Sequence, residues 1–484
     1  MRLLSRKNDD GESYAPIAVI LAAGNGWRLQ GGSDPISKPL IRIRGLSLAE
    51  RSVAQLRNVG IDRFVVALGA NADLVRAHFE CIAKRRRCRI DFVFASDWAR
   101  GNGCSTAAAE PLVGDEPFVL TMVDHLLSAE LILKLLSEPP RAHGIVLAVD
   151  YEKSHIFDEA DVTKVRIANG HITEIGKDLV RWDACDTGLF FCTSELFRGL
   201  SRARADGGFS LTDGVRECLA GGMRAVDVTG SDWIDVDTTE GVREAVARID
   251  VSLTKGREDG FVSQYLNRPI SRRISKVLSR TSVSPNQISV SCFLLGLLGA
   301  GALGMTNAWA WVVGGLLIQL ASIVDGCDGE IARIKLLQSR RGAWLDTMLD
   351  RYADLAVGVA VTFAASQLHS APWIWPAGLV ATTSFLIASY LTKEYELRFG
   401  KPYPNNHLNR LKRRDLRVFV IAVGALLVQP LAALLIVGAL THLVVLWIMI
   451  DAWRGAEQPP VSKPLGTTRM IGEGAARRVE PATS

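Results

Sequence analysis

The pattern of apolar and polar residues divides this chain into two halves. Residues 1–282 alternate short apolar runs with charged segments, whereas residues 283–455 consist mainly of long apolar runs. A chain of 484 residues is too long for one compact core, so we expect at least two domains. The pattern predicts a globular domain first and a membrane domain after it.

In the first half, several apolar runs are typical of buried strands in a parallel sheet. The run APIAVILAAG leads into a glycine-rich turn, and RFVVALG, RIDFVFA, PFVLTMVDH and HGIVLAVD follow further along the chain. Helical patterns lie between these runs. The alternation predicts an α/β doubly wound domain over residues 15–248, preceded by a tail of residues 1–14.

In the second half, apolar segments approach the length of about 20 residues that a membrane-spanning helix needs. They lie at residues 286–304, 308–324, 344–366, 373–392, 417–430 and 432–453. Glycine-rich stretches such as GLLGAGALG favour close packing between helices. We predict an all-α membrane domain of about six transmembrane helices over residues 283–455. A basic interfacial linker, 249–282, would precede it, and a disordered tail, 456–484, would follow.

The basic residues predict how this membrane domain is oriented. NRPISRRISKVLSR, before the first apolar segment, and TKEYELRFGKPYPNNHLNRLKRRDLR are strongly basic, while the connections TNA and QLHSAP contain no Lys or Arg. Basic connections stay on the cytoplasmic side. We therefore expect a multi-pass protein of the cell inner or plasma membrane, with the first domain and both termini in the cytoplasm.

Composition and charge argue against several other classes of protein. The start, MRLLSRKNDDGESY, is charged and polar, so we expect no cleavable signal peptide. Eight cysteines without any C-x-x-C pair indicate a reduced compartment without a disulfide framework. The net charge of +5 gives no reason to expect nucleic acid, and the KRRRCR cluster at 84–89 is typical of a solvated surface.

Four aspartates cluster where the second apolar segment ends and the third begins: Asp325, Asp328, Asp346 and Asp350. An unpaired carboxylate beside a hydrocarbon layer is costly. Spacings of three and four residues place each pair on one face of a helix. Hard divalent cations take several oxygen ligands, and Mg²⁺ commonly bridges carboxylates to substrate phosphates. The cluster therefore predicts a site for metal and phosphate rather than a set of solvated caps.

The same segment is similar to the signature of the CDP-alcohol phosphotransferases, Asp-x2-Asp-Gly-x2-Ala-Arg-x8-Gly-x3-Asp-x3-Asp. It matches at every fixed position, namely Asp325, Asp328, Gly329, Ala332, Arg333, Gly342, Asp346 and Asp350. The resemblance implies a two-metal site for Mg²⁺ or Mn²⁺ with Asp325, Asp328 and Asp346 as ligands. It also implies that Asp350 is the general base, with a second role as a metal contact, and that Gly329, Ala332, Arg333 and Gly342 hold the nucleotide. The implied reaction displaces CMP from a CDP-alcohol by an acceptor hydroxyl.

In the first half, a glycine-rich turn follows the first buried strand, and such a turn lets backbone amides approach a phosphate. LAAGNGWRL followed by KPL resembles the signature of the sugar-nucleotide and nucleotidyl transferases. The resemblance implies that Lys38 and Arg28 neutralise charge as pyrophosphate leaves. It implies that backbone groups around Ala22, Ala23, Gly24 and Gly26 contact the nucleotide. Trp27 and Thr239 depart from the family pattern without removing a charge that the chemistry needs.

Further positions in the first half fit the same resemblance. Asp124 ends the apolar run VLTMVD, where open α/β sheets place ligand groups. The resemblance implies that Asp124 and a later aspartate, Asp235 or else Asp237, hold Mg²⁺ on the triphosphate of CTP. Asn102 and Ser105 are candidate nucleotide contacts, and Lys177 is a candidate for the acceptor's phosphate. Each of these three is equally compatible with an ordinary surface or turn position.

The order of the two domains resembles a family of fused enzymes in which an inositol-1-phosphate cytidylyltransferase precedes a di-myo-inositol phosphate phosphate synthase. The resemblance implies CDP-inositol formation from CTP and inositol phosphate. Transfer to a second inositol phosphate would then release CMP. Candidate contacts for the acceptor's phosphate are basic residues beside the membrane, which also suit the role of interfacial anchors: Arg268, Arg272, Arg273, Lys393, Arg414 and Arg417. The membrane family also brings the expectation of a homodimer through the membrane domain.

Three alternatives stay open from sequence. A phospholipid synthase would use the same aspartates with a lipid donor or acceptor. The activated alcohol could be another polyol, because motifs do not define the pocket. A non-enzymatic scaffold is the third alternative, and the intact signature argues against it. Diffusion of the CDP-alcohol between the two sites is favoured over direct transfer.

Overall fold

The structure is a computed structural model, and it describes residues 6–7, 13–14, 16–26, 37–141, 144–152, 162–253 and 259–456. The chain forms two compact units. The first comprises residues 1–259, 263–296 and 320–350, and the second comprises 260–262, 297–319 and 351–484. The first unit thus holds the predicted α/β domain and also all four clustered aspartates. Arg28 and the predicted tail from residue 457 onward lie outside the described residues.

A nine-stranded mixed sheet lies at the centre of the first unit. The strands of the chain are β1 Arg6–Lys7, β2 Ser13–Tyr14, β3 Ile17–Ala22, β4 Arg42–Ile43, β5 Leu46–Ser47, β6 Arg63–Leu68, β7 Arg89–Phe94, β8 Phe118–Met122, β9 His125–Leu127, β10 Ile145–Asp150, β11 Lys164–Ala168, β12 His171–Gly176, β13 Ala184–Cys192, β14 Arg224–Asp227 and β15 Trp233–Asp235. The sheet has the order β10-β14-β12-β11-β13-β8-β3-β6-β7. Three small two-stranded pairs, β1-β2, β4-β5 and β9-β15, lie outside it.

The apolar runs of the sequence form the parallel part of this sheet, as predicted. β3 pairs in parallel with β6 and β8, and β6 pairs in parallel with β7, while β13 runs antiparallel beside β8. Alternate residues of β3 enter two separate cores: Ala18, Ile20 and Ala22 enter one, and Ile17, Val19 and Leu21 enter the other. A strand that is covered on both faces must be apolar throughout, which is why these runs do not alternate with polar residues.

Helices cover both faces of the sheet, which confirms the doubly wound α/β fold. They are α1 Leu48–Asn58, α2 Ala72–Arg86, α3 Asn102–Ala107, α4 Glu110–Val113, α5 Ala129–Ser137, α6 Glu195–Ala205, α7 Leu211–Arg216 and α8 Thr239–Ser252. α1, α2 and α5 contribute apolar residues to one core, and α6 and α7 contribute to the other. α8 runs from Thr239 to Ser252, so it extends past residue 248, where the sequence predicts the end of the domain.

The remaining described part of the chain is helical. After a π-helical turn at Ser263–Asn267, the helices are α9 Arg268–Leu278, α10 Pro285–Leu303, α11 Ala308–Ile334, α12 Arg340–Leu368, α13 Ile374–Phe399, α14 His407–Leu411, α15 Arg414–Leu426 and α16 Pro430–Ala456. Each predicted apolar segment overlaps one of them, although the segment 417–430 extends beyond α15, which ends at Leu426. α11 continues past the apolar segment 308–324 to Ile334, so Asp325 and Asp328 lie within a helix, as their spacing predicts.

Among the described helices, four are long and apolar enough to cross a membrane: α10, α11, α13 and the Pro430–Arg454 part of α16. α12 begins in the charged acidic segment, and α15 has 13 residues, fewer than the roughly 20 that a span needs. The chain therefore has a helical domain suited to a membrane, while a count of six spans stays a prediction. In the second unit, Gly299 and Gly314 let α10 and α11 approach, since a Cβ on Gly314 would lie 2.8 Å from Gly299 O.

Candidate functional sites

The first acidic site forms at the carboxyl end of a central parallel strand. Asp124 lies between β8 and β9, and β9 pairs antiparallel with β15, which sets Asp235 opposite His125. The backbone N–H of Val236 also donates to the carbonyl of Asp124 over 3.2 Å. The ligand atoms of Asp124, His125 and Asp235 consequently lie within 4.8 Å of one another. Strand pairing thus brings together two aspartates that are far apart in sequence.

Lys38 lies directly against this site. Lys38 begins the short helical turn Lys38–Leu40, and its side chain donates hydrogen bonds to the carboxylates of Asp124 and Asp237. The glycine-rich turn is adjacent, because a Cβ on Gly26, which has a φ of +65°, would lie only 2.9 Å from Lys38 Cβ. The glycine-rich turn, Lys38 and the three aspartates of the sequence prediction therefore meet at one edge of the sheet.

His125 is a member of this site that sequence reasoning missed. Its Nδ1 donates to Asp124 Oδ1 over 2.9 Å, and the residue is buried. Gly188, in β13, has a φ of +72°, and a Cβ there would lie 2.3 Å from the imidazole of His125. The position of His125 directly after Asp124 at a strand end was the available clue.

The charges of this site are fixed by burial and by close partners. Burial opposes ionisation of Asp124, but the Lys38 ammonium and the hydrogen bond from His125 outweigh it and hold the pKa of Asp124 well below its ordinary value. Burial alone would lower the pKa of His125, yet the carboxylates of Asp235 and Asp124 raise it to about 9. Burial raises the pKa of Asp186 to about 6, although the N–H of Gly188 donates to it over 2.6 Å.

The other predicted residues of the first half take varied positions. Ala22 ends β3, Ala23 is buried after it, and Gly24 is exposed. Asn102 begins α3, and its side-chain oxygen accepts from the N–H of Leu211 over 2.7 Å, so part of its bonding capacity ties α3 to α7. Ser105 is buried within α3, and Lys177 is exposed just after β12.

The second acidic site is built by two helices that follow each other in the chain. α11 carries Asp325 and Asp328, and α12 carries Asp346. Carboxylate oxygens of these three residues lie within 4.8 Å of one another. Asp350 lies one turn after Asp346 on α12 and is half-buried. The signature spacing thus brings the predicted ligands to one place.

A third helix, α10, also contacts the second site, and sequence reasoning did not foresee it. The hydroxyl of Ser289 donates to Asp328 Oδ2 over 2.6 Å, and the N–H of Gly329 donates to the same carboxylate. A Cβ on Gly342 would lie 3.1 Å from Asn286 Oδ1, so the start of α12 passes close to the start of α10. Close packing between these two helices therefore accounts for a glycine at position 342 without any contact to a nucleotide.

The other signature residues, Ala332 and Arg333, lie in the last turn of α11 and are half-buried. This turn closes with a hydrogen bond from the N–H of Leu337 to the carbonyl of Ala332 over 2.8 Å. Leu336 has a φ of +52°, the left-handed conformation that commonly ends a helix. The positions of Ala332 and Arg333 are thus set by how α11 terminates.

The predicted acceptor contacts are mostly engaged in ion pairs. In the first unit, Arg268 Nη1 lies 2.9 Å from the buried Glu330, and Arg268 Nε lies 3.1 Å from Asp259. In the second unit, two arginines bind the buried Asp354: Arg414 Nε lies at 3.1 Å and Arg417 Nη2 at 3.4 Å. Arg272 is half-buried on α9, Arg273 is exposed, and the exposed Lys393 pairs with Glu396.

Both acidic sites fit a divalent cation by their donor chemistry. Carboxylate oxygens are the ligands that Mg²⁺ prefers, and each site gathers at least two of them with their oxygens close together. In the first site, Asp124 and Asp235 would hold the cation. In the second, Asp325, Asp328 and Asp346 would hold it. A cation bridging to phosphate oxygens would neutralise charge on a transferring phosphoryl group.

Comparison with known proteins matches each half to a family. Residues 18–210 match the family described as "MobA-like NTP transferase domain", and residues 282–450 match "CDP-alcohol phosphatidyltransferase". A "Bifunctional IPC transferase and DIPP synthase" of Rubrobacter xylanophilus is 39% identical over 447 residues, which cover 90% of this chain and 97% of that protein. The protein of the same description from Archaeoglobus fulgidus is 33% identical over 85% of this chain and 78% of its own length.

Among solved structures, the inositol-1-phosphate CTP transferase from T. maritima aligns with a TM-score of 0.45 and 23% identity. The alignment covers 50% of this chain and 96% of that one.

Proposed function

Because the chain belongs to the family of bifunctional IPC transferases and DIPP synthases, we propose that it carries out two consecutive transfers on inositol phosphates. The first makes CDP-inositol from CTP and myo-inositol 1-phosphate. The second moves the phosphoinositol unit of CDP-inositol to another inositol phosphate and gives phosphorylated di-myo-inositol phosphate. The coexistence of two separate acidic sites, one in each half of the chain, is the observation that carries this proposal.

In the first transfer, a phosphate oxygen of inositol 1-phosphate attacks the α-phosphorus of CTP, and the bond to the β-phosphate breaks to release pyrophosphate. Lys38 holds positive charge beside Asp124 and Asp237, where the triphosphate would lie. Arg28 would add charge on the leaving pyrophosphate. Backbone around Ala22, Ala23, Gly24 and Gly26 would hold the nucleotide, and the metal would offset charge on the reacting phosphate.

In the second transfer, a hydroxyl of the acceptor attacks the phosphorus that bears inositol in CDP-inositol. The bond between the two phosphates breaks, CMP leaves, and the carboxylate of Asp350 takes the hydroxyl proton. Asp350 suits this role because it lies one helical turn from the metal ligand Asp346 and is only half-buried. Gly329, Ala332, Arg333 and Gly342 would hold the CDP moiety.

The acceptor's phosphate needs positive charge near the second site. Arg268, Arg272, Arg414 and Arg417 remain our candidates, with Lys177 as the candidate in the first domain. Arg414 and Arg417 share one buried carboxylate, Asp354, and Arg268 is paired with Glu330 and Asp259.

We also propose the finer features that the sequence predicts. Mg²⁺, or Mn²⁺ in its place, is the metal of both sites. The protein lies in the cell inner or plasma membrane with its first domain and termini in the cytoplasm, and it pairs through its membrane domain. The domains are 15–248 and 283–455, joined by the linker 249–282. The basic residues Arg272 and Arg273 of α9 support an interfacial position for that linker.

The test uses the purified full-length protein in detergent with Mg²⁺, CTP and myo-inositol 1-phosphate, followed by phosphorus NMR. We expect signals for CDP-inositol first, and then for a phosphodiester that also bears a monoester phosphate. A sample with EDTA in excess over Mg²⁺ should show neither product.

The outcomes separate the alternatives. CDP-inositol without the diester would leave the first transfer standing and would point to a lipid or another acceptor, which added phospholipid precursors would then identify. A chain that leaves CTP unchanged would overturn inositol phosphate as the activated alcohol, and other phosphorylated polyols would be tried in its place.

A further inference from the structure

The last turn of α11 is held by arginines of the nucleotidyltransferase domain. Arg51 on α1 donates from Nη1 to the carbonyl of Ile334 over 3.3 Å. Arg86, at the end of α2, donates from Nη2 to the carbonyl of Lys335 over 2.9 Å and from Nη1 to that of Leu336 over 3.0 Å. All of these residues belong to the same compact unit. The first domain therefore contacts the helix that carries Asp325 and Asp328.

Both arginines are fixed in place. Arg51 is buried, and its Nε and Nη2 donate to the carbonyl of Ile43 over 3.2 and 2.5 Å. Burial lowers the pKa of Arg51 to about 10, so the side chain keeps its charge at neutral pH. Arg86 is held by the buried carboxylate of Glu50, 3.4 Å from its Nη2. A guanidinium held on one side by its own domain can define the position of what it binds on the other.

The contacted carbonyls are those that a helix leaves unsatisfied. The last carbonyls of an α-helix have no partner within the helix, and positive groups near this end are favourable. Lys335 adds a second tie, since its ammonium donates to the carbonyls of Thr281 and Val283, each over 2.7 Å. These two residues lie just before α10, the helix that carries Ser289. The end of α11 is thus anchored to the first domain and to the start of α10.

In the proposed function, this turn also binds the nucleotide of the second transfer. It contains Ala332 and Arg333, directly before the carbonyl that Arg51 binds, and Asp328 lies less than two turns earlier. A shift of about 1 Å in a catalytic group can lower a rate roughly 100-fold. Release of the helix end would move Arg333 before any other signature residue.

The geometry points to Arg51 and Arg86 as positioning residues for the second transfer: although they belong to the nucleotidyltransferase domain, they fix the last turn of α11 and with it the CDP-binding residues of the membrane domain. This inference rests on the proposed function of the second site. The first domain then supplies the substrate of the second transfer and also positions residues of the site where that transfer takes place.

The test compares Arg86→Ala with Arg85→Ala in the full-length protein in detergent. Arg85 is the matched control, because it lies on the same helix and pairs with the same Glu50, at 3.0 Å, while its side chain is 63% exposed. The second transfer is measured alone, from preformed CDP-inositol and inositol phosphate, by release of CMP. The first transfer is measured from CTP and inositol 1-phosphate by release of pyrophosphate.

We expect Arg86→Ala to lower kcat of the second transfer roughly 10- to 100-fold and to leave the first transfer unchanged. Arg51→Ala should act in the same direction, and Arg86→Lys should restore part of the rate because it keeps one charged donor. Arg85→Ala should leave both transfers unchanged. Equal rates for Arg86→Ala and Arg85→Ala would overturn the inference, and so would a parallel loss of both transfers, which would indicate a purely structural role.

A readout without substrate separates this inference from the proposed function. Hydrogen–deuterium exchange of the peptide that spans residues 330–340 should become faster in Arg86→Ala and stay unchanged in Arg85→Ala. If the protein used substrates other than inositol phosphates, the activity assays would fail for the wild type, and this exchange measurement would still decide the matter. Unchanged exchange in Arg86→Ala would mean that the arginine does not hold the helix end.

Discussion

The two acidic sites of this chain are assembled in different ways. In the first, the pairing of β9 with β15 joins Asp124 to Asp235, and Lys38 reaches Asp124 from a turn near the start of the domain. In the second, two successive helices bring Asp325 and Asp328 to Asp346. The first site depends on the whole topology of its sheet, whereas the second depends on a single helix–turn–helix segment.

Their electrostatic surroundings differ as well. In the first site, charged groups contact the carboxylates: Lys38 binds Asp124 and Asp237, and His125 binds Asp124. In the second, the described donors to Asp328 are neutral, namely the Ser289 hydroxyl and the Gly329 N–H. Neutral donors stabilise a carboxylate but do not cancel its charge. The following predictions test how the two sites differ.

The largest effect is expected from Asp350→Asn. Removing the general base should lower the second transfer roughly 10²- to 10⁴-fold and leave CDP-inositol formation intact. CMP release from preformed CDP-inositol and pyrophosphate release from CTP measure the two transfers separately. Thr347→Ala, an exposed change on the same helix, serves as the control. Loss of both transfers in a folded Asp350→Asn protein would contradict the assignment of separate sites.

Lys38→Ala should produce the opposite pattern. Loss of the ammonium beside Asp124 and Asp237 should slow the first transfer roughly 10²- to 10³-fold, since it removes charge stabilisation at the phosphates. Added CDP-inositol should restore formation of the diester, measured by phosphorus NMR. Lys134→Ala, on α5, is the matched control. The assignment of Lys38 to the first transfer alone would be wrong if added CDP-inositol failed to restore the diester.

Asp235→Asn and Asp237→Asn distinguish the two possible metal ligands of the first domain. Asp235 lies with Asp124 and His125, whereas Asp237 contacts Lys38. We expect Asp235→Asn to raise the Mg²⁺ concentration for half-maximal pyrophosphate release by roughly 10- to 100-fold, and Asp237→Asn to raise it less. A Mg²⁺ titration of each variant measures this. The reverse order would make Asp237 the ligand and Asp235 its neighbour.

The smallest effect is expected from Ser289→Ala. The variant removes one neutral hydrogen bond to Asp328, which is worth about 0.5–1.5 kcal/mol, so the second transfer should fall by roughly 2- to 10-fold. CMP release at several Mg²⁺ concentrations is the measurement, with the exposed Ser291→Ala as control. Equal rates for the two variants would show that the hydroxyl does not support the metal site.

The sequence predicted the architecture of both halves because each rests on local rules. Continuous apolar runs indicated the buried strands β3, β6 and β8, and long apolar segments indicated the helices of the second half. α11 continues past the apolar run 308–324 to Ile334, since polar residues are tolerated within a helix once its hydrogen bonds are formed.

The two candidate sites could be predicted from the sequence to different extents, because one depends on residues that are near each other in the chain and the other on residues that are far apart. Asp325, Asp328 and Asp346 meet because helical periodicity converts their spacing into a shared position. The first site could be inferred only through the family resemblance, and even that did not include His125, whose role depends on the room left by Gly188. Ser289 was missed because nothing in the sequence indicates which residue of α10 faces Asp328.

By itself, the sequence determined the order of the two domains, the strands and helices, and the spacing of the acidic signature. These follow from periodicity and from chemistry between residues that are near each other in the chain. The tertiary structure alone decided that Asp235 meets Asp124, that Ser289 binds Asp328, and that Arg51 and Arg86 hold the end of α11. Each of these contacts joins distant segments, and only the packing of whole strands and helices fixes which side chains then lie within hydrogen-bond distance.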